Sequence, residues 1–565
     1  MRGDSSRRSS GLVAAAILVS RLTGLVRERA LGHFLGTSAA ADAFTVAYRI
    51  PNLLQHPLGE GVLSMSFIPV YSRLPAGRTE EAGRVAGAVA GLLAVAAGTL
   101  SLVGILLAEP LTSIVAAGLR ARPETFQLTV DLVRIMIPAV GFLVLSAWCL
   151  GVLNSHRRFF LSYVAPALLN VVQVVVLVGL GSTVLSAAAT GSVAASQDGL
   201  VRWLAIGTVL GGLLRFLVQL PTVVRLSRGV RPSLRTDLPG VREVLRTVGP
   251  VVASRGVVQI STYLQVLLAS FLAAGALSTL RYAQVLYLLP VSLFGMSVAA
   301  AELPRLATAG RQASERVVAR LDAGLARIAA FVLPTGIGYL VVGDHLTAAL
   351  FQTGRFTRLA AVAVWLVLAG YALGLLASTS SRLLQSALYG IGEPRTPSRT
   401  AIVRVVLSVV LGVVLMLQLD RVGVTSTGLQ LLGDLPALTP LPAAARQETP
   451  DLLRLGAVGL SVTGGLAAWL EYVLLRRAVH RSIGRTRTGG GQLGRIAAAT
   501  AVAALVAGAT RPLLDELPPL AAGVAAFVVV VAVYGPLAAA LRVSGAQALR
   551  DGVLQRLRRL GPGGP

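Results

Sequence analysis

Apolar residues along this chain run in stretches of roughly twenty, divided by short polar connections. That is the length an α-helix needs to cross a hydrocarbon core, so the pattern predicts an all-α, polytopic membrane protein with about fourteen transmembrane helices. The first six are predicted near 11–35, 39–73, 83–115, 128–153, 159–181 and 199–224. The next six fall near 243–273, 278–306, 317–342, 357–389, 396–418 and 452–477, and a final pair near 492–510 and 517–543. Arg2, Arg7 and Arg8 precede the first apolar stretch as in a secretory signal. Arg21 cuts that stretch short and the helical pattern runs on, so it reads as the first membrane helix.

Composition agrees with a membrane protein. Apolar residues make up 54% of the chain, charged residues 13%, and the mean hydropathy of +0.74 excludes a soluble globular domain. The net charge is +26, and all 51 cationic side chains are arginine. A nucleic-acid binder would gather its arginines on a soluble face beside aromatic residues. Here they lie mostly in short connections, which is a topology signal. With the N-terminus inside, the even-numbered connections should be basic, and RLSRGVRPSLRTDLPGVREVLR, RLATAGRQASERVVARLDAGLAR and RRAVHRSIGRTRTGGGQLGR all are. Connections on the other side, such as STVLSAAATGSVAASQDG, are poor in arginine. The expected organisation is a cytoplasmic N-terminus (1–10), a six-helix lobe (11–224), a second six-helix lobe (243–477), two C-terminal helices (492–543) and a basic cytoplasmic tail (544–565). A weak echo between VAYRIPNLL and RYAQVLYLLP suggests that the lobes are parallel pseudo-repeats. The connection over 419–451 reads as a short helix or a loose loop.

Charges inside the apolar helices are the candidate chemistry. A charge at bilayer depth costs a few kcal/mol or more, so it faces a partner or a water-filled cavity. Ser20 to Pro69 holds Arg21, Arg27, Glu28, Arg29, Asp42, Arg49 and Glu60. Asp42, Thr45, Arg49, Asn52, His56 and Glu60 are spaced 3, 4, 3, 4 and 4, which predicts one face of a helix kinked at Pro51. Arg21 and Arg27 stand roughly 240° apart on a straight helix, so their convergence would need a bend at Gly24. Guanidinium groups stay charged and bind oxygen pairs in bidentate fashion, which suggests an anionic, diphosphate-bearing substrate. Further intramembrane candidates are Arg134, Arg215, Arg255, Arg281, Glu302, Arg382 and Arg404, with Arg255 and Arg281 foremost.

No nucleophile elbow, P-loop or zinc-helix motif occurs, and the five histidines lack ligand spacing. No enzyme, cofactor, metal site or nucleic-acid partner is expected. The single cysteine, Cys149, reads as a buried apolar residue.

The N-terminal residues resemble a known family. Ser20, Arg21, Gly24 and Arg27, then ADAFTVAYRIPNLL (41–54), then Glu60, Gly61, Ser64, Phe67, Ile68 and Pro69 are similar to the motifs of the MurJ/MviN lipid II flippase family. Later matches are GVLNSHRRF (151–159), residues 249–275, ALFQTGRFT (349–357) and GEPRTPSR (392–399). The resemblance implies an exporter fold of the multidrug/oligosaccharidyl-lipid/polysaccharide superfamily, with the two C-terminal helices flanking a lipid-tail groove. It also implies transport of lipid II across the bacterial inner membrane, with the bilayer and cell-wall synthesis proteins as further partners. By motif matching, Arg21, Arg27 and Asp42 occupy essential cavity positions, Arg49 a basic position and Glu60 an acidic one. Asn52 completes the expected set.

The chain departs from the family pattern at Gln55, which replaces an arginine, and at Gln284 and Val285, which replace an Asp-Arg pair. Arg281, one helical turn before Val285, or Arg255 is expected to supply the missing charge. Two other readings stay open: a paralogue carrying another polyprenyl-diphosphate glycan, and a non-transporting scaffold of the same fold.

Overall fold

A computed structural model of the protein describes the backbone of residues 2–74, 79–188, 193–227, 229–296, 314–425, 428–436, 438–447, 452–486 and 490–543. Side chains are described for the same residues except 2–14, 79, 183–188, 193–196, 253–260, 295–296, 314–316 and 490. The chain divides into two compact units. Unit 1 comprises Met1–Ser278 with Arg446–Glu448, and unit 2 comprises Thr279–Ala445 with Thr449–Pro565.

Unit 1 contains α1 (Arg2–Leu35), α2 (Ala39–Gln55), α3 (Glu60–Arg73), α4 (Thr79–Leu106), α5 (Ala108–Val115), α6 (Pro123–Met136), α7 (Ala139–Ser155), α8 (Phe159–Ala188), α9 (Val193–Leu226) and α10 (Pro239–Ser270). Its core joins Phe67 and Tyr71 of α3, Val85 and Val89 of α4, and Val144, Trp148 and Val152 of α7. Cys149 is a free, buried thiol in that core. The Trp148 indole N–H donates to the Ala86 carbonyl at 3.1 Å, so the ring is buried with its one polar atom satisfied.

The linker from α9 to α10 is extended and lies along α4. Gly87 and Gly91, four residues apart, make room for it. A Cβ at Gly87 would come within 2.3 Å of the Arg231 carbonyl oxygen, and one at Gly91 within 2.3 Å of the Ser233 carbonyl oxygen. The Ser233 N–H donates to the Gly87 carbonyl at 3.3 Å.

The turn after α10 is held by a buried acid. Gly275 takes φ +87° there, and a Cβ on it would meet the Thr37 carbonyl oxygen at 2.4 Å. Asp42, fully buried on α2, accepts the Gly275 N–H at 2.8 Å through Oδ2. Its Oδ1 accepts the Ser278 N–H at 2.8 Å and the Ser278 hydroxyl at 2.9 Å. Asp42 therefore caps the first turn of α11 (Ala276–Pro290), where unpaired N–H groups and the helix dipole favour an anion. Arg122 Nη1 stands 3.9 Å from Oδ2. Both oxygens of Asp42, the first residue of the expected polar stripe, are thus engaged by the protein.

Unit 2 continues with a π-helical turn (Val291–Met296), α12 (Ser314–Phe351), α13 (Arg358–Leu373), α14 (Leu375–Gly390) and α15 (Arg395–Leu419). Then come β1 (Val422–Thr425), β2 (Gly428–Leu431), β3 (Leu453–Arg454), α16 (Gly456–Ser482), α17 (Gly490–Ala509), α18 (Arg511–Asp515) and α19 (Pro519–Ala540). The connection over 419–451, expected as a short helix or loose loop, holds a short 3₁₀ helix at Ala443–Arg446 and in addition contributes β1 and β2 to an antiparallel sheet of order β2-β1-β3. Two buried acids organise the helices. Glu471 of α16 accepts from Arg404 at 2.8 Å and from Gln385 at 2.9 Å, joining α14, α15 and α16. Asp344 of α12 takes Arg358 at 3.0 Å and Arg511 at 2.8 Å on one oxygen, while His345 bridges Asp344 and Asp515 at 3.1 Å each.

By length and hydropathy, eight helices among the described residues are fit to cross a membrane, and ten if each bent pair counts as one span. The bent pairs are α6–α7 (43°) and α13–α14 (46°). The second bend falls at Gly374, where a Cβ would meet Gly465 Cα at 2.4 Å. The other expected spans lie on helices that are shorter or more polar. The single helix predicted over 39–73 is two: α2 runs through Pro51 and ends at Gln55, and α3 begins at Glu60. Pro57 has no N–H for the next helical rung, and Gly59 is extended at φ −85°, ψ −170°.

Asp42→Ala leaves two backbone N–H groups and a hydroxyl without their acceptor and is expected to cost about 3 kcal/mol. Thermal unfolding in detergent should place Asp42→Asn, which keeps one acceptor oxygen, between the alanine variant and the native chain. Gly87→Leu is expected to displace the α9–α10 linker at a cost of about 1–3 kcal/mol and to speed tryptic cleavage after Arg231 or Arg235. Gly98→Leu, where a Cβ meets nothing within 4 Å, should leave both readings unchanged.

Candidate functional site

The arginines of the N-terminal motif do not act alike. Helix α1 is continuous from Arg2 to Leu35, through Gly24. Arg21 is exposed, whereas the Arg27 side chain is only 15% exposed. The two therefore face different surroundings on one helix, as their spacing requires without a bend.

Arg27 is held from three sides. Its Nη1 donates to Asn170 Oδ1 of α8 at 3.0 Å and reaches the Tyr48 hydroxyl of α2 at 3.5 Å. Its Nη2 bonds Glu28 Oε1 at 2.5 Å, and its guanidinium lies 5.7 Å from the Tyr48 ring centroid. Asn170 is itself fixed, since its Nδ2 donates to the Ser20 carbonyl and to Thr23 Oγ1, each at 3.3 Å. Thr23 in turn donates to the carbonyls of Val19 and Ser20. Arg27 is thus locked in place by neighbours that are locked as well.

A second guanidinium approaches the same tyrosine. Arg215 of α9 lies within electrostatic reach of both Tyr48 and Glu60. Arg49, half-buried on α2, lies within electrostatic range of Tyr263 on α10. Unit 1 therefore gathers Arg27, Arg49 and Arg215 around α2. Arg27 Nε and Arg215 Nε are buried and, among the described residues, have no hydrogen-bond partner, so each holds a donor in reserve. Donors of this kind, on groups that stay ionised, suit the oxygens of a phosphate ester.

The stripe on α2 is graded rather than uniform. Asp42 and Thr45 are buried, Arg49 and Asn52 half-buried, and His56 and Glu60 exposed. Asn52 is turned onto its own helix: its Nδ2 donates to the Tyr48 carbonyl at 2.8 Å, and its Oδ1 accepts Gln55 Nε2 at 2.9 Å. Gln55 is thus a partner of Asn52. Glu60 opens α3, where the helix N-terminus favours a carboxylate.

The remaining candidates are dispersed. In unit 2, Arg281 and Val285 are half-buried on α11, and Gln284 donates to the Tyr371 hydroxyl at 3.4 Å. Tyr371 stacks on Tyr287, which shares a 2.5 Å hydrogen bond with Ser378. Arg404 is committed to Glu471, and Arg382 is exposed. In unit 1, Arg134 is exposed beside Asp131 at 3.9 Å. The Arg255 side chain and Glu302 lie outside the described residues. Among the described residues no three His, Cys, Asp or Glu side chains are placed to hold a metal ion.

Sequence reasoning missed Tyr48 and Asn170. A signal existed for Asn170, an amide in the apolar run FFLSYVAPALLNVVQVVVLVGL. Tyr48 gave none, because a tyrosine among leucines and valines looks like packing.

Comparison with known proteins extends these observations to the whole chain. The family profile described as lipid II flippase MurJ matches residues 31–432. The lipid II flippase MurJ of Burkholderia cenocepacia is 34% identical over 396 residues, covering 69% of this chain and 74% of the relative. A probable lipid II flippase MurJ of Bdellovibrio bacteriovorus is 34% identical over 429 residues, covering 74% and 79%. Among solved structures, a lipid II flippase MurJ in an inward closed conformation superposes with a TM-score of 0.70 at 20% identity, covering 93% of this chain and 98% of that one. An inward-facing multidrug resistance MATE family transporter of the MOP superfamily superposes at 0.58 and 13% identity, covering 83% and 98%, which shows the shared fold. By profile, identity and fold together, this chain belongs to the lipid II flippase MurJ family.

Proposed function

We propose that this protein moves lipid II, the undecaprenyl-diphosphate-linked muropeptide, from the cytoplasmic to the outer leaflet of the bacterial inner membrane by alternating access. The observation that carries this reading is Arg27, a largely buried guanidinium on α1, immobilised by Asn170, Tyr48 and Glu28 and keeping a buried donor unused. In this reading Arg27 and Arg215 bind the diphosphate, Tyr48 sets the distance between them, and Asn170 aims Arg27. Family membership supplies the substrate class. Arg49, Glu60 and exposed Arg21 line the approach, and Asp42 acts by holding the α10–α11 turn. The arginine-rich even-numbered connections support cytoplasmic termini. Contacts with cell-wall synthesis proteins are part of the same proposal.

Purified protein in proteoliposomes loaded with lipid II tests it. Arg27→Ala removes a charge-assisted contact worth about 1.5–3 kcal/mol and is expected to weaken lipid II binding roughly tenfold to a hundredfold, with transport lost. Asn170→Ala, which leaves the charge but frees its position, should reduce transport less. Native rates in the Arg27→Ala variant would overturn the reading. For the helix that departs from the family pattern, Arg281→Ala should lower transport and Val285→Arg in that background should restore it. A dead double variant would show that Arg281 does not supply the missing charge.

A further inference from the structure

The three-stranded sheet between α15 and α16 is absorbed by none of the functions above. Its register sorts the side chains. Val422 pairs with Leu431 and Val424 with Leu429, while Val424 also pairs with Leu453. Directly opposed residues share a face, so one face carries Val422, Val424, Leu429, Leu431 and Leu453. The other carries Gly423, Thr425, Gly428, Gln430 and Arg454. On the apolar face Leu453 is buried, yet Leu429 is 77% and Leu431 56% exposed. No charged residue occurs from Val422 to Gly433.

The flank is built to match. Arg421 donates to the carbonyls of Asp434 at 3.0 Å and Thr439 at 3.1 Å, which ties down a segment bearing exposed Leu435 and Leu438. Arg421 thus ties an apolar loop through its two terminal nitrogens.

The position of the sheet names its partner. Two residues separate the end of α15 from β1, and one separates β3 from α16. Both helices are fit to span a membrane, so no more than about 10 Å of chain separates the sheet from the ends of two spans. On α15, Ile402, Val406, Val410 and Val414 form an exposed stripe at four-residue spacing, the surface such a helix shows to lipid. The apolar sheet face begins within three residues of the end of that helix. A free edge on β2 rules out deep burial in hydrocarbon, where its N–H and C=O groups would find no partner. At the level of the headgroups, water meets the edge while the leucines reach the acyl boundary.

We propose that this sheet is a shallow membrane anchor, with Leu429, Leu431, Val422 and Val424 seated at the headgroup–acyl boundary beside α15 and α16. The leaflet is the outer one in the orientation proposed above. The anchoring itself rests on neither that orientation nor the transport reading.

The test uses the full chain in phosphatidylglycerol–phosphatidylethanolamine vesicles with no other protein present. Cys149 is buried, so an environment-sensitive dye added to the folded chain reads an introduced thiol. Leu429→Cys removes little packing because the side chain is exposed. Its dye is expected to emit at shorter wavelength than in water and to be quenched most by spin-labelled lipids whose label lies within roughly 10 Å of the headgroups. A dye at Gln430→Cys, on the opposite face, should behave as in water. Water-like emission at both sites, with no response to spin-labelled lipids, overturns the proposal, as does equal quenching at both. As a second reading, Leu429→Asp with Leu431→Asp should abolish the quenching of a dye at Leu435→Cys. Unchanged quenching there would also overturn it.

Discussion

Inside a bilayer no water completes a buried polar group, so each charge on a spanning helix depends on a partner supplied by the protein. Three acids in this chain show the rule at work. Asp42 takes three donors from one turn of backbone and side chain, Glu471 takes Arg404 and Gln385, and Asp344 takes Arg358, Arg511 and His345. Each draws together elements that are remote in sequence. Each is at most 2% exposed, and the pairings decide where its helices can sit.

The same constraint separates structural charge from functional charge. Asp42 and Glu471 are satisfied within the protein and have nothing left to offer a ligand through the oxygens they commit. Arg27 differs, since its neighbours fix its direction but leave a buried donor unused, and Arg215 on another helix likewise keeps its buried Nε without a hydrogen-bond partner among the described residues. A guanidinium cannot shed its charge to relieve burial, so an anionic ligand is the natural complement of that pair. The family to which the chain belongs is described as lipid II flippases.

Glycines do related work by allowing close approach. Gly87 and Gly91 admit the α9–α10 linker against α4, Gly275 admits Thr37, and Gly374 lies against Gly465 where α13 bends into α14. At these contacts even one methyl group would force backbone apart, so the shape of the packing is carried by residues that have no side chain.

Hydropathy and helical period are local properties, and they were enough to place a helix, or part of one, under every predicted span and to find the arginines inside them. The motif from Ser20 to Pro69 likewise sufficed to identify the family. The break at Pro57 and Gly59 was missed because apolar periodicity resumes on its far side. The outcome at Asp42 was not legible, because its partners Gly275 and Ser278 lie 233 and 236 residues away. Arg27 met Asn170 across 143 residues for the same reason. Sequence alone therefore determined which residues are costly in lipid, since that cost belongs to the side chain. Only the tertiary structure decided which of them are satisfied and by which partners, because partners come from folding and not from spacing.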